Sequence, residues 1–257
     1  MKKISIALAT YNEKDNISRC LKSVQGWADE IIVVDGTSSD GTSDIAESYG
    51  AKVITKPNNK NFHINKQIAI DECSAQWVLQ LDADEVVSVG LRREIDSLVI
   101  SKSALNGYWI PRRNWFLGRF LTKGGQYPDY TLRLYRNGKG KLPQKDVHEQ
   151  AIVEGEVGFL KEDLLHYPYK DFKAYMKKWQ RYNIFAADIL RIKLKNKSAI
   201  EHIKVFFLEL LLKPLWWFVW TYGRHKGFVD GWQGFIFSLF SSLRFPVSYI
   251  EYLRFKV

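Results

Sequence analysis

The chain has 257 residues, enough for one large domain or for a domain with an appended module. With 46% hydrophobic and 26% charged residues it is neither a disordered chain nor a plain multi-span membrane protein. Its net charge of +10 sits at the back: residues 1–166 hold 22 basic and 22 acidic side chains, whereas residues 167–257 hold 16 and 6, with 23 of the 37 aromatics. That asymmetry points to an anionic surface, either membrane or nucleic acid. The only cysteines, Cys20 and Cys73, fall in helical patterns, which argues against a secreted disulfide framework and fits a reducing compartment. The apolar run after Lys2 and Lys3 ends at Ala9, with no signal-peptide core and no cleavage site, so the expected location is the cytoplasm.

Ile4 to Ala9 reads as a strand buried on both faces. Ile17, Leu21 and Val24 recur at helical spacing, and Ile31 to Val34 is a second β-branched run that ends at Asp35. Turn chemistry follows from Gly36 to Gly41, with Thr42 expected to cap a short helix that stops at Gly50. Val53-Ile54 predicts a third strand, Ile64, Ile68 and Ala69 a third helix, and Trp77 to Leu81 a fourth strand running into Asp82. This alternation is the pattern of a parallel sheet with right-handed crossovers, in which ligands bind beyond the carboxyl ends of the strands. Thr10-Tyr11-Asn12, Asp35 and Asp82-Ala83-Asp84 all fall at such ends. Leu91, Ile95, Leu98 and Val99 mark another helix, and Tyr108 to Ile110 and Thr131 to Tyr135 later strands. From Asp171 to about Lys197 the pattern is helical and basic. Ile203 to Trp220 is strongly apolar, but Glu209, Lys213 and Pro214 interrupt it, so no transmembrane helix is expected.

Asp82-Ala83-Asp84-Glu85 places two carboxylates one residue apart beyond a strand end. Such a pair can share Mg²⁺ or Mn²⁺ bound to phosphate oxygens, or can be a solvated acidic turn. Asp35 can accept hydrogen bonds from a nucleobase or ribose, or serve only as a turn residue before Gly36. No GxGxxG follows the first strand and no GxxxxGK[ST] is present, which argues against a dinucleotide oxidoreductase and a P-loop NTPase.

Ala9-Thr10-Tyr11-Asn12-Glu13, Ile32 to Asp35 with Ser39-Asp40-Gly41-Thr42, and Leu81 to Glu85 together resemble a family 2 glycosyltransferase of the GT-A fold. Tyr127-Pro128-Asp129, Arg133-Leu134-Tyr135, Val147-His148-Glu149 and His166-Tyr167-Pro168-Tyr169 resemble a narrower group that includes bacterial lipopolysaccharide-core β-glucosyltransferases. Ala9 stands where many members carry proline. The resemblance implies an α/β fold, a mostly parallel sheet flanked by helices over residues 1–166, with a C-terminal helical, membrane-associating extension over 167–257. It also implies inverting transfer from a UDP-sugar, with Mg²⁺ or Mn²⁺ as cofactor. Thr10, Tyr11 and Asp35 would hold the base, Asp82 the ribose side and Asp84 the metal, with Asn12, Glu13 and Ala83 in the same nucleotide-binding segments. For the general base Glu149 comes first and Asp146 second. His148 is either a further metal ligand, a phosphate-orienting group or a structural histidine. Arg133 is either a phosphate contact or part of a salt bridge, and Lys66 is a weaker candidate of the same kind.

The tail has two compatible readings: helices that complete a core, or an interfacial module in which Trp216, Trp217, Trp220 and Trp232 lie among Lys213, Arg224 and Lys226. The second makes the acceptor a lipid-linked glycan and places the protein peripherally on the inner face of the cytoplasmic membrane. Competing classes are a non-enzymatic membrane or nucleic-acid binder, disfavoured for nucleic acid by the apolar tail and the lack of a recognition motif, and a nucleotidyltransferase, disfavoured by the lack of a Gly-rich triphosphate loop.

Overall fold

The computed structural model describes residues 3–59, 61–101, 104–143 and 150–254. Its chain order is β1 (Ile4–Thr10), α1 (Lys14–Lys22), β2 (Glu30–Asp35), α2 (Thr42–Ser48), β3 (Lys52–Thr55), α3 (His63–Asp71), β4 (Trp77–Leu81), β5 (Glu85–Val87) and α4 (Val89–Ile100). There follow β6 (Gly107–Phe116), β7 (Arg119–Phe120), β8 (Asp129–Arg136), β9 (Gly140–Lys141), β10 (Ile152–Val153), β11 (Val157–Phe159) and β12 (Leu164–His166), and then the helices α5 (Phe172–Leu194), α6 (Ala199–Phe207), α7 (Lys213–Phe218) and α8 (Gly231–Arg254). Two compact units result: residues 1–113 with 129–166, and residues 114–128 with 167–257.

In the first unit the sheet runs β3-β2-β1-β4-β8-β6-β12-β5. The first four strands are parallel and the pairing turns antiparallel at β4–β8, so the sheet is mixed. Along β1, Ile6 and Leu8 enter one core with Ile17, Leu21, Leu79 and Ile95, while Ala7 enters a second with Ile32, Val34 and Val78. Burial on both faces explains why these strands read as unbroken apolar runs. The sheet therefore presents the carboxyl ends of β1, β2 and β4 side by side. One local expectation is corrected: Thr42 does not cap α2. Gly41, in the left-handed region at φ 88°, is the cap residue, and Asp40 Oδ1 accepts from the Thr42 amide at 3.0 Å. A threonine cannot easily take the left-handed turn there, so Thr42 becomes the first helical residue and its buried hydroxyl accepts from the Glu13 amide at 2.9 Å.

The second unit has apolar cores of its own, one around Ala187, Leu194, Tyr249 and Tyr252 and another around Phe116, Leu121 and Tyr175. Asp171 caps α5 by accepting from the Ala174 amide, and Ser198 with Glu201 forms a capping box on α6. Wider π turns at Leu208–Leu212 and Val219–Arg224 flank α7, and a short 3₁₀ turn (Gly227–Asp230) precedes α8. Asp230, 1% exposed, ties the loop before β8 to the start of α8: the Thr122 and Lys123 amides donate to its carboxylate at 2.9 and 2.8 Å, and the Thr122 hydroxyl at 2.8 Å. No described helix is long and apolar enough to cross a membrane.

Candidate active site

The loops after β1 and β2 are stitched together. Asn12 adopts φ 54°, a conformation that asparagine tolerates better than most side chains. Its amide donates to the Ser38 hydroxyl at 2.8 Å, and its side-chain oxygen accepts from the Ser39 amide at 2.9 Å. Asp35, 1% exposed, accepts from the Thr10 hydroxyl (3.2 Å), the Ser38 hydroxyl (2.6 Å) and the Ser38 amide (2.8 Å). The carboxylate thus first builds the turn, and a further acceptor lone pair is what it can offer a ligand. Gly36 is required by a close approach: a Cβ there would lie 3.2 Å from the Thr10 carbonyl oxygen and 3.2 Å from Asn58. Tyr11 is exposed beside this turn.

Beyond β4 the charges are paired. Asp82 is ion-paired through one oxygen to Lys66 and through the other to Arg133. Arg133 also reaches Glu85 at 3.1 Å and donates to the Gln80 amide oxygen. Glu85 is fully buried, its other oxygen accepting from the Asp82 amide at 2.9 Å, and Arg112 bridges it at 3.3 Å to Asp129 at 2.7 Å. Burial works against ionisation of Asp82, but Arg133 and Lys66 outweigh it and hold the carboxyl below the ordinary aspartate range. Burial likewise opposes the charge of Arg133, and Asp82 and Glu85 overcome it and raise its pKa. A polar cavity of about 220 Å³ opens here, lined among others by Lys66, Asp82, Arg112 and Arg133. Thr131, only 3% exposed, lines the same cavity, and its hydroxyl has no hydrogen-bond partner among the described residues. Two cations over one strand-end carboxylate, with an unused hydroxyl, suit an anionic oxygen-rich ligand.

Asp84 points elsewhere. Its Oδ2 lies 3.3 Å from His166 Nε2, and both side chains remain partly open to solvent. The contact is made by antiparallel pairing of β12 on β5, which sets His166 opposite Glu85. Glu13, the residue immediately before α1, senses this acidity. Burial raises its pKa, a hydrogen bond from Asn16 works the other way, and the charges of Asp84, Asp82 and Asp40 add to the rise. Beneath the acidic loop the Cys20 thiol donates to the Asp82 carbonyl at 3.6 Å, and burial pushes its pKa well up.

The site therefore brings together Thr10, Asn12 and Asp35 on one side and Lys66, Asp82, Ala83, Asp84 and Arg133 on the other, with Glu13 electrostatically coupled to the second group. Asp146, His148 and Glu149 lie outside the described residues. Residues without an assigned role in the sequence reading are His166, Arg112, Glu85, Gln80 and Thr131. His166 stands in the His-Tyr-Pro-Tyr segment, yet only the strand pairing shows what it faces. Among the described residues no group of three His, Cys, Asp or Glu side chains could hold a metal. The Asp84 carboxylate is a hard oxygen donor that fits Mg²⁺ or Mn²⁺, which take much of their coordination from phosphate oxygens and water.

The glycosyl transferase family 2 model matches residues 5–143, more than half of the chain and all of these strand ends. The chain belongs to this family. It is a glycosyltransferase, and its mixed sheet flanked by helices is the GT-A fold. The lipopolysaccharide core biosynthesis glycosyltransferase LpsC of Rhizobium meliloti is 29% identical over 241 residues, covering 91% of this chain and 85% of that protein. An uncharacterized glycosyltransferase of Rickettsia typhi is 28% identical over 257 residues, covering 95% and 85%. Among solved structures, S. aureus TarS is similar over 88% of this chain and 45% of that one, at 17% identity and a TM-score of 0.49.

Proposed function

We propose that this glycosyltransferase moves a sugar, glucose in the first instance, from a UDP-sugar to a lipid-linked or lipopolysaccharide-core glycan, with inversion, at the cytoplasmic face of the membrane. The observation that carries the reading is the division of labour beyond β4: Asp82 is engaged with Lys66 and Arg133, while Asp84 and His166 face each other with solvent access. In the proposed reaction an acceptor hydroxyl attacks the anomeric carbon as the nucleoside diphosphate leaves. Lys66 and Arg133 offer positive charge to the diphosphate, and preorganised charge of this kind is worth most where it develops in the transition state. Asp84 and His166 would hold the Mg²⁺ or Mn²⁺, which supplies further neutralisation of the leaving group. Thr10, Tyr11 and Asp35 are assigned to the base, and Glu149, with Asp146 as second choice, to accepting the hydroxyl proton.

The lipid-linked acceptor and the membrane location draw support from the helical unit. Ile200, Ile203, Phe207, Leu211, Leu215 and Val219 are all at least half exposed, at spacings of three and then four residues. An ideal α-helix drifts by about 40° every four residues. A wider π turn at Leu208–Leu212 lies within this run, and such a turn works against that drift. Trp216 stacks on Trp220 next to it, and Trp232 is 60% exposed. Exposed aromatics with basic neighbours suit the headgroup region. The similarity to LpsC supports the acceptor class.

The test is donor hydrolysis across a panel of nucleotide sugars, with and without Mn²⁺ or Mg²⁺, for the wild type and Asp84→Asn. Metal-dependent release of UDP from one sugar, lost in the variant, is the expected result. Release of pyrophosphate would overturn it in favour of a nucleotidyltransferase, and turnover indifferent to Asp84 would remove the assigned metal site.

A further inference from the structure

The second unit contains a cavity of about 570 Å³ that none of the residues assigned to transfer lines. Its volume falls within the roughly 300–1,000 Å³ of small-molecule sites. Most of the wall is hydrocarbon and aromatic, with Trp179 and Leu190 from α5 and Phe237 and Phe245 from α8. Polar side chains break this lining, Glu209, Lys213, Arg244 and Asn183 among them. Glu209, 6% exposed, stands in the π turn before α7 and is ion-paired to Lys213 one turn on. Arg244 holds its guanidinium 5.0 Å from the Trp217 ring and 4.8 Å from the Phe245 ring, and it makes no ion pair among the described residues. Asn183 is 2% exposed; its side-chain oxygen accepts from the Ser248 hydroxyl at 3.4 Å, and its Nδ2 has no acceptor among the described residues. A buried amide donor without an acceptor is an uncommon feature of a folded protein and calls for a partner. A π turn within a helical run is itself a frequent mark of a functional site.

These features define an occupant. It is hydrocarbon over most of its length, it carries an anion for Arg244, and it brings an acceptor oxygen for Asn183. Nucleotides and free sugars fail the first requirement, and neutral hydrocarbons fail the second. We infer that this cavity binds one bilayer phospholipid of net negative headgroup, its acyl chain among Trp179, Leu190 and Phe237, its phosphate at Arg244 and an ester oxygen toward Asn183. The inference rests on the membrane-surface reading above for the source of the lipid. It goes beyond that reading by giving the helical unit a stoichiometric lipid site in addition to an adsorbing face.

The experiment uses the full chain and dihexanoyl-phosphatidylglycerol kept below its micelle concentration, with binding followed by calorimetry. The expected result is saturable binding of one molecule, at least tenfold weaker for Arg244→Gln and absent for Ala186→Trp, which fills the cavity from α5. Dihexanoyl-phosphatidylcholine should bind more weakly than the glycerol lipid. Absence of saturable binding, or equal binding by the wild type and Arg244→Gln, overturns the proposal. Should Ala186→Trp fail to fold by circular dichroism, the Arg244 variant decides alone. Sedimentation with phosphatidylglycerol vesicles is a separate readout. Failure to sediment with short-lipid binding intact sinks the membrane reading and supports the cavity assignment, whereas sedimentation without short-lipid binding sinks the cavity assignment alone.

Discussion

His166 Nε2 stands 3.3 Å from Asp84 Oδ2, at the mouth of an acidic loop whose other aspartate is already neutralised by two cations. One loop thus offers two different environments to a nucleotide sugar. Asp82 is locked into the scaffold, and Asp84 faces the imidazole with partial solvent access. Asp84→Asn is expected to lower turnover by about a hundredfold or more. His166→Ala should instead raise the divalent-ion concentration for half-maximal activity by about tenfold, with smaller loss at saturating metal. A metal titration of both variants checks this. An unchanged titration midpoint for His166→Ala would reduce the pair to a structural hydrogen bond.

Glu85 is the keystone under that loop. It is fully buried, accepts from the Asp82 amide and meets both Arg133 and Arg112. Taking away one partner of a buried ion pair leaves the remaining charge uncompensated, at about 3–5 kcal/mol. Glu85→Gln is therefore expected to reduce unfolding free energy by about 3 kcal/mol, measured by urea denaturation. The double variant with Arg133→Met should be destabilised by less than the sum of the single changes, because the two share one network.

The pH dependence of stability carries a signature of the same acidity. Burial, helped by Asp84, Asp82 and Asp40 and opposed by Asn16, raises the Glu13 pKa above its ordinary value. A carboxyl with a raised folded pKa favours the native state below its unfolded pKa and loses that contribution as pH rises through the folded value. Ionised Glu13 thus weighs against folding at neutral pH. Glu13→Gln should raise the urea midpoint at pH 7, and the gain should shrink as the pH falls toward about 4. A gain independent of pH would mean that packing, not charge, is responsible. Asp82 has the opposite sign: its depressed pKa stabilises above the unfolded value of about 3.9 and is lost only as pH falls below it.

β1, β2 and β4 were legible because they are buried on both faces and so appear as short, mostly apolar runs closed by a polar residue, whereas β3, at the sheet edge, showed only Val53-Ile54. Asp35, Asp82 and Asp84 could be found on the same ground, as carboxylates at strand ends. What the pattern could not show is long-range pairing. β5 and β12 are three residues each, too short for a periodic signal, yet their register is what sets His166 beside Asp84. Cap preference alone favours Thr42 at the start of α2 but ignores backbone handedness, and Gly41 is the residue that accommodates φ 88°. In the tail, Glu209, Lys213 and Pro214 read as interruptions of an apolar segment, but the backbone stays helical through them. Glu209 and Lys213 neutralise each other one turn apart, and Pro214 comes just after the wider π turn Leu208–Leu212.

That continuous helical run gives the membrane reading its sharpest test. The ridge from Ile200 to Val219 exposes six aliphatic or aromatic side chains, and no described helix is long and apolar enough to cross a membrane, so the proposed membrane association is one with an interface. Leu211→Glu with Leu215→Glu places two carboxylates on the ridge and removes apolar contact at both positions. Sedimentation with vesicles containing phosphatidylglycerol is expected to fall by at least tenfold, whereas UDP release in the donor-hydrolysis assay, which needs no membrane, should stay near the wild-type rate. Basic residues near an anionic surface contribute about 1 kcal/mol each, so binding by the unaltered protein should also weaken as salt rises. If the double variant sediments as the wild type does and salt has no effect, the ridge is not a membrane face, and the acceptor must be sought among soluble glycans.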